Sequence, residues 1–370
     1  RPRAEVGARA RLRSLVVPEW FRRFTLSSHT VIDGGLIVTR AENERRVIEP
    51  IVGGVGRPLT LPAMADRPGR AVTRNPAVRT VRAWIDATLA RIDRTELREP
   101  WYEAANATQH LLDVYTAVDL TRYRYVLVPR QSHPLVRALI SAADAQGVPV
   151  AFIPHSPLTW WQIDLPVTHA GMRGTAERAH IVARTGADPQ RIAILGNTST
   201  DVLDAPLAPL AADRPGVLAL SPDPESQLAR VITMVRDAGL RHVIVAPHPR
   251  SDARMLRRLM PAEWGLHRGA HTLDLLRQGA PWLIQSSSGI AWEAAALGIA
   301  TADVQLEGRR PDYPFHVAPG VISPITSPDE ARAFASGAAD VDREALRDHA
   351  RAWCEVDGTG AVQRARTFLS

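Results

Sequence analysis

Three short segments of this 370-residue chain combine residue types that can hold a phosphate and move a proton. The first spans 282–300 and reads WLIQSSSGIAWEAAALGIA, an apolar strand-like run that enters Ser286, Ser287, Ser288 and Gly289 before a helical pattern begins. Hydroxyls and unpaired N–H groups at a helix start are what an anionic phosphate needs, and the helix dipole adds a favourable field. Glu293, about one turn into that helix, is placed to reach ribose hydroxyls beside such a phosphate. A plain serine cap with Glu293 on a solvated face is the competing structural reading.

The second segment, HVIVAPHPR, sets His248 at the end of a strand with Arg250 two residues on. Ligands in open α/β sheets collect at the C-terminal ends of strands, where a histidine can donate to a phosphate or protonate a leaving oxygen and an arginine adds fixed charge. Ser221 opens the loop after an earlier strand, VLAL, and is assigned to the same donor site. The third segment, FTLSSHTVIDGG, ends a strand in Asp33, followed by Gly34 and Gly35, which let an acceptor approach the backbone closely. A carboxylate there is suited to take the proton of an acceptor hydroxyl, with His29 as the reserve base, although Asp33 is equally suited to capping a helix. His155, in IPHSP at another strand end, is read as lining the acceptor pocket. His267 and His271 stand four apart without a third ligand, so no metal site is expected; Trp160 and Trp161 suit either sugar stacking or anchoring of their loop.

These residues need elements that hold them. Residues 24–33 read as a strand, Gly34 and Gly35 as a tight turn, and 36–52 as a helix. A second cycle runs through Leu59–Met64 and the helical 78–92, and then YVLV, an amphipathic 133–147 closed by Gly147, and VPVAFIPHS continue the alternation. Residues 168–197 read as helix, turn and strand, and the segment TSTDVLDAPLAPLAADRPG as a linker. Five further strands alternate with helices from Val217 to Leu306, and two polar helical segments close the chain. Continuous apolar strands alternating with helices predict parallel sheets, so the expected fold class is α/β with two Rossmann-like domains facing a cleft. The expected bounds are 1–205 for an acceptor domain, 206–345 for a donor domain and 346–370 for C-terminal helices that pack back.

Composition removes several classes. All 45 basic residues are arginine, so neither a Walker A loop nor a Schiff-base lysine can be built. Neither domain follows its first strand with G-x-G-x-x-G, which disfavours a dinucleotide dehydrogenase. The single Cys354 excludes an intrachain disulfide and a cysteine zinc site, and suits a reducing cytoplasm. Residues 1–100 carry 19 Arg against 11 Asp and Glu, a surplus of 8, whereas the whole chain is +6, so the basic surface belongs to the N-terminal third. That surface fits an anionic acceptor or a peripheral contact at the inner face of the membrane, and without a nucleic-acid-binding motif no nucleic-acid partner is expected.

A His-Pro dipeptide followed by a serine run resembles the signature of bacterial sialyltransferases, including polysialyltransferases and lipooligosaccharide sialyltransferases. The acidic D/E-D/E-G motif of that family is matched only in Asp33 and Gly34, because Ile32 replaces the first acid. The pattern S-S-G-x-x-x-E-A-x-x-x-G is similar to CDP-glycerol glycerophosphotransferases and to non-hydrolysing UDP-N-acetylglucosamine 2-epimerases, although an H-R-R-E-N-like run of the epimerases is replaced by SPDPES. The resemblance implies a GT-B fold, Asp33 as base, His248 on the phosphate or leaving group, and Ser286 to Ser288 on the phosphate of a CMP-, CDP- or UDP-linked sugar. The expected function is an inverting, metal-independent glycosyltransferase without a resident cofactor, acting on a carbohydrate, lipid-linked or other hydroxyl acceptor, in surface glycan or glycoconjugate synthesis. A CDP-polyol phosphotransferase, a sugar-nucleotide 2-epimerase and a non-catalytic nucleotide-sugar-binding protein are the alternatives.

Overall fold

The computed structural model describes residues 29–32, 34–39, 42–52, 119–131, 134–159, 162, 164–198, 214–248, 251–267, 272–307, 313, 321–355 and 360–370. They form two six-stranded sheets. The first contains β1 (His29–Ile32), β2 (Gly35–Val38), β3 (Tyr125–Val128), β4 (Val150–Phe152), β5 (His169–Met172) and β6 (Ile192–Ile194), in that spatial order. β2 to β6 run parallel, and β1 pairs antiparallel with β2.

The second sheet contains β7 (Gly216–Leu220), β8 (Val243–Ala246), β9 (Gly265–Leu266), β10 (Trp282–Ser286), β11 (Ala300–Val304) and β12 (Ser323–Ile325). Its order is β12-β11-β10-β7-β8-β9, parallel throughout. Counted from its own first strand, this is the doubly wound Rossmann order, with the reversal between β7 and β10. Every residue of β7, β10 and β11 is buried, as continuous apolar strands covered on both faces require.

Helices cover the sheets: α1 (Glu42–Val52), α2 (Pro134–Ala145) and α3 (Thr175–Thr185) belong to the first, and α4 (Glu225–Asp237), α5 (Ala253–Leu259), α6 (Thr272–Arg277), α7 (Ile290–Ala296) and α8 (Pro328–Gly337) to the second. α4 shows the logic: Leu228, Val231, Ile232 and Val235 recur at helical spacing, and all four are buried.

The final helices, α9 (Arg343–Trp353) and α10 (Gly360–Leu369), join the halves. α9 packs against α7 of the second half and α3 of the first, while α10 returns to α1. The approach of α9 is close enough that a Cβ on Gly174 would lie 2.5 Å from the Ala352 carbonyl oxygen. Arginines tie this crossing down: Arg366 donates to the carbonyls of Ile51 and Pro50, both at 2.9 Å, and Arg364 to that of Leu195 at 3.0 Å. Two Rossmann-like halves with C-terminal helices packing back are the GT-B plan.

Several expectations change. Leu36, Ile37 and Val38 form a buried strand, not the first turn of a helix, because an unbroken apolar triplet is best covered on both faces of a sheet. The helix starts only at Glu42. β5 precedes α3 where the sequence suggested a helix first, and the second sheet gains β12 as a sixth strand. The linker residues 199–213, and 53–118 with their proposed strand and helix, lie outside the described residues.

Candidate active site between the two sheets

The loops at the C-terminal ends of the strands carry the candidate residues in both halves. Ser221 follows β7 and Ser287 follows β10, so the two flank the reversal of strand order where open α/β sheets bind ligands. Ser221 Oγ donates to the Ser287 carbonyl at 2.9 Å, which binds the two loops together. Ser287 has φ 53°, the left-handed region, a conformation that costs roughly 1–2 kcal/mol in a non-glycine residue. Its amide donates to Asp303 Oδ1 at 2.9 Å, the same oxygen that accepts Gln285 Nε2 at 2.7 Å, and the Ser288 amide donates to Gln285 Oε1. A fully hydrogen-bonded, buried network therefore holds the strained turn.

This network alters how the turn can meet an anion. The amides of Ser287 and Ser288 are engaged by the protein, so the half-buried Ser288 and Gly289 are what the turn presents. Ser286 is fully buried as the last residue of β10, opposite Leu220, and it supports the turn from below. Ser288 and Gly289 are half-buried. His248 stands after β8, one strand beyond β7, also half-buried, and its carbonyl accepts the Ser251 amide at 2.8 Å. Arg250, His271, Trp160 and Trp161 lie outside the described residues. His267 follows β9, and among the described residues no group of three or more His, Cys, Asp or Glu could hold a metal ion.

The first sheet offers a charged layer at the matching edge. Glu44 of α1, Arg130 after β3, His155 after β4 and Arg173 after β5 all stand at C-terminal strand ends. Arg130 Nε lies 2.8 Å from Glu44 Oε1, and its Nη2 donates to His155 Nε2 at 3.0 Å. His155 Nδ1 in turn donates to the Pro129 carbonyl at 2.7 Å, so both ring nitrogens are engaged and the ring is neutral. Burial, the Arg130 charge and the more distant Arg173 lower the His155 pKa to about 4, against the pull of Glu44 and the Pro129 carbonyl. His155 thus organises Arg130; it is not an open acceptor contact.

The two edges meet. Pro157, two residues after His155, packs 3.3 Å from where a Cβ on Gly289 would stand. Arg173 is enclosed, with Nη2 on Glu177 Oε1 at 2.5 Å and its guanidinium 5.7 Å from the Trp292 ring of α7. Glu293, on the same helix, faces Arg173 and Arg46; burial nevertheless pushes its carboxyl up to about 7, because the two arginines only partly offset the loss of water. Burial likewise pushes the Cys354 thiol up to about 12, so it is no nucleophile at neutral pH.

The shifts of His155 and Glu293 have opposite consequences for stability. The folded His155 refuses a proton that the unfolded chain accepts below about 6.5, so its stabilisation is complete above that pH and is lost as pH falls toward 4. Glu293 keeps its proton in the fold up to about 7 while the unfolded chain ionises near 4.5, so stability declines as pH rises through that window. At 1.36 kcal/mol per unit, each effect amounts to about 3 kcal/mol, and the slopes oppose each other. Chemical denaturation is therefore expected to show Glu293→Gln gaining stability over wild type by about 3 kcal/mol between pH 4.5 and 7.5. His155→Gln should gain instead as pH falls from 6.5 to 4. Parallel pH profiles for both variants and wild type would contradict these environments.

The turn that contains Gly34 falls elsewhere. Ile32 pairs with Gly35, Gly34 has φ 78°, and the Gly34 carbonyl accepts the Arg124 amide at 2.8 Å just before β3. Gly34 and Gly35 thus sit at the N-terminal ends of the parallel strands, opposite the edge with His155, which removes the expected acceptor contact. A Cβ on Gly35 would collide with the Tyr125 ring at 2.3 Å, so packing explains that glycine. Asp33 lies outside the described residues. His29 pairs with Val38, which ends β2, so its backbone lies at the edge opposite Gly34. Composition and motif gave no signal for Glu44, Arg130 and Arg173, which the strand ends bring together.

No protein-family model matches the chain, and no curated protein matches it in sequence. Among solved structures, it is similar to a putative UDP-N-acetylglucosamine 2-epimerase from Listeria monocytogenes at 13% identity, covering 70% of this chain and 78% of that one, with a TM-score of 0.49. The calicheamicin glycosyltransferase CalG4 gives 15% identity, 78% and 80% coverage and a TM-score of 0.46. The wall teichoic acid polymerase TagF gives 11%, 70% and 83%, with a TM-score of 0.43. The chain's own sheet order and crossing helices, rather than these likenesses, define its architecture.

Proposed function

We propose that the protein is a glycosyltransferase that moves a sugar from a nucleotide-activated donor to an acceptor hydroxyl, with inversion at the anomeric carbon. The observation that carries this reading is the convergence of Ser221, Ser287 and Ser288 on the strand-order reversal of the second sheet, facing the charged edge of the first. The donor's phosphate is assigned to the Ser288 hydroxyl, on a turn that Ser221 fixes through the Ser287 carbonyl, with His248 and Arg250 supplying charge to the leaving group. Glu293 is assigned to the donor's ribose hydroxyls.

The acceptor is assigned to the first half, where a base must stand at the cleft edge. The register of β1 favours His29 over Asp33 for that role. In the transfer, the acceptor oxygen bonds to the anomeric carbon as the carbon–oxygen bond to the donor phosphate breaks. The acceptor proton passes to the base, and the nucleotide leaves with the bonding electron pair. Phosphate charge would be met by hydroxyls, His248 and arginine rather than by a metal, and closure over the donor would suppress its hydrolysis. We place the protein in the cytoplasm, with its arginine-rich N-terminal third against an anionic acceptor or membrane face. No helix among the described residues is long and apolar enough to cross a membrane.

The test is calorimetric titration of CMP, CDP and UDP, each beside its nucleoside. A phosphate-dependent affinity confined to the serine turn is the expected result.

A further inference from the structure

Two arginines follow strands of the first sheet, β3 and β5, in different situations. Arg173 is closed off: its side chain is 7% exposed, two of its guanidinium nitrogens are on Glu177, and an indole covers it. Its charge is spent on holding α3, α7 and the loop after β5 together. Arg130 is held just as firmly from behind, by a Glu44 that is only 2% exposed and by a His155 that is itself fixed to the Pro129 carbonyl. Yet the Arg130 side chain is 36% exposed, at the C-terminal end of β3.

A guanidinium braced by buried partners with one side left open is the arrangement that recognises a carboxylate or phosphate through parallel N–H bonds. Neutral His155 adds no charge to offset it and no charge to repel it. Arg46 and Arg173 lie on the same side of the site, near Glu293, so the surroundings are rich in cations. The loop of His155 reaches the serine turn within two residues, through the Pro157 contact with Gly289. The loop of His155 therefore links Arg130 to the serine turn.

We propose that Arg130, braced by Glu44 and His155, recognises an anionic group, a carboxylate or a phosphate, on the sugar or acceptor that reacts in the cleft. This deepens the glycosyltransferase reading and rests on it: the substrate on the first-half side is acidic.

Three ligands that differ only at the sixth carbon of one ring, glucose, glucuronate and glucose 6-phosphate, separate the cases when titrated against the full chain at constant ionic strength. Inorganic phosphate, CMP and UMP complete the set. Wild type should bind at least one of the two acidic sugars about tenfold or more tightly than glucose, and which one it prefers tells carboxylate from phosphate. Arg130→Gln should abolish that preference and leave CMP or UMP affinity unchanged, while Arg236→Gln, at an exposed pair with Asp237, should change nothing. Equal affinity for all three hexoses, or a preference that survives Arg130→Gln, overturns the proposal. So does inorganic phosphate matching glucose 6-phosphate, and so does an equal loss of nucleotide and acidic sugar in the variant. Should Arg130→Gln not fold, Arg130→Lys decides: it keeps the charge but loses the planar fork, and an unchanged preference is again contrary. A chain that binds acidic sugar through Arg130 but no nucleotide would sink the transferase reading and leave this one standing.

Discussion

Replacing His248 with alanine is expected to weaken nucleotide binding by about 2–4 kcal/mol, the scale of losing one preorganised donor to phosphate charge. That corresponds to roughly 30-fold to 1,000-fold in dissociation constant. The expectation follows from where β8 ends: it neighbours β7, so His248 stands one strand from the Ser221–Ser287 junction at the same edge. His248 is half-buried in a loop, so its removal should leave the melting temperature within a few degrees of wild type. Titration of wild type and variant with the tightest-binding nucleotide measures the effect. An unchanged affinity would remove His248 from the donor site.

The second large effect concerns the proton. His29→Gln should lower kcat by about 100-fold or more, because a positioned general base contributes on the order of 10²–10⁴ to rate and glutamine cannot accept the proton. Donor affinity should hardly change, since the nucleotide is assigned to the other sheet. Asp33→Asn is expected to behave in the opposite way, with turnover near wild type. Its flanking residues are at the N-terminal ends of the parallel strands, away from the cleft. Single-turnover rates for the two variants, beside their donor affinities, decide between them. A hundredfold loss in Asp33→Asn with His29→Gln near normal would restore Asp33 as base.

The turn at Gly34 has a signal in local chemistry. Asp-Gly between apolar runs is a strong short-range signal for a two-residue hairpin, and IDGGLIV contains it, with Gly34 supplying the positive φ. Leu36 to Val38 suit helix or strand by sequence alone, because a three-residue apolar run carries no period of its own. The second sheet is far more legible: VLAL, VIVA and WLI are apolar runs, and each lies in a strand that is wholly or mostly buried.

The serine turn was legible as a turn but not in its bonding. Nothing in SSSG reveals that Asp303, from the next strand, and Gln285 occupy the amides of Ser287 and Ser288. The Glu44–Arg130–His155 chain was beyond reach for a related reason. Its members come from one helix and two loops spread over more than a hundred residues, and the parallel register of β2, β3 and β4 aligns them.

Donor binding at the reversal of the second sheet can be read in one calorimetric comparison. CDP and cytidine, and UDP and uridine, are titrated into wild type and into a Ser221→Ala, Ser288→Ala double variant. Wild type should bind one diphosphate more than about a hundredfold tighter than its nucleoside, because the phosphate is met by fixed hydroxyls and cationic side chains. The double variant should lose about tenfold or more of that preference while its nucleoside affinity stays unchanged. A wild type indifferent to the phosphate, or a variant in which nucleoside and diphosphate weaken equally, would contradict a nucleotide site at the serine turn.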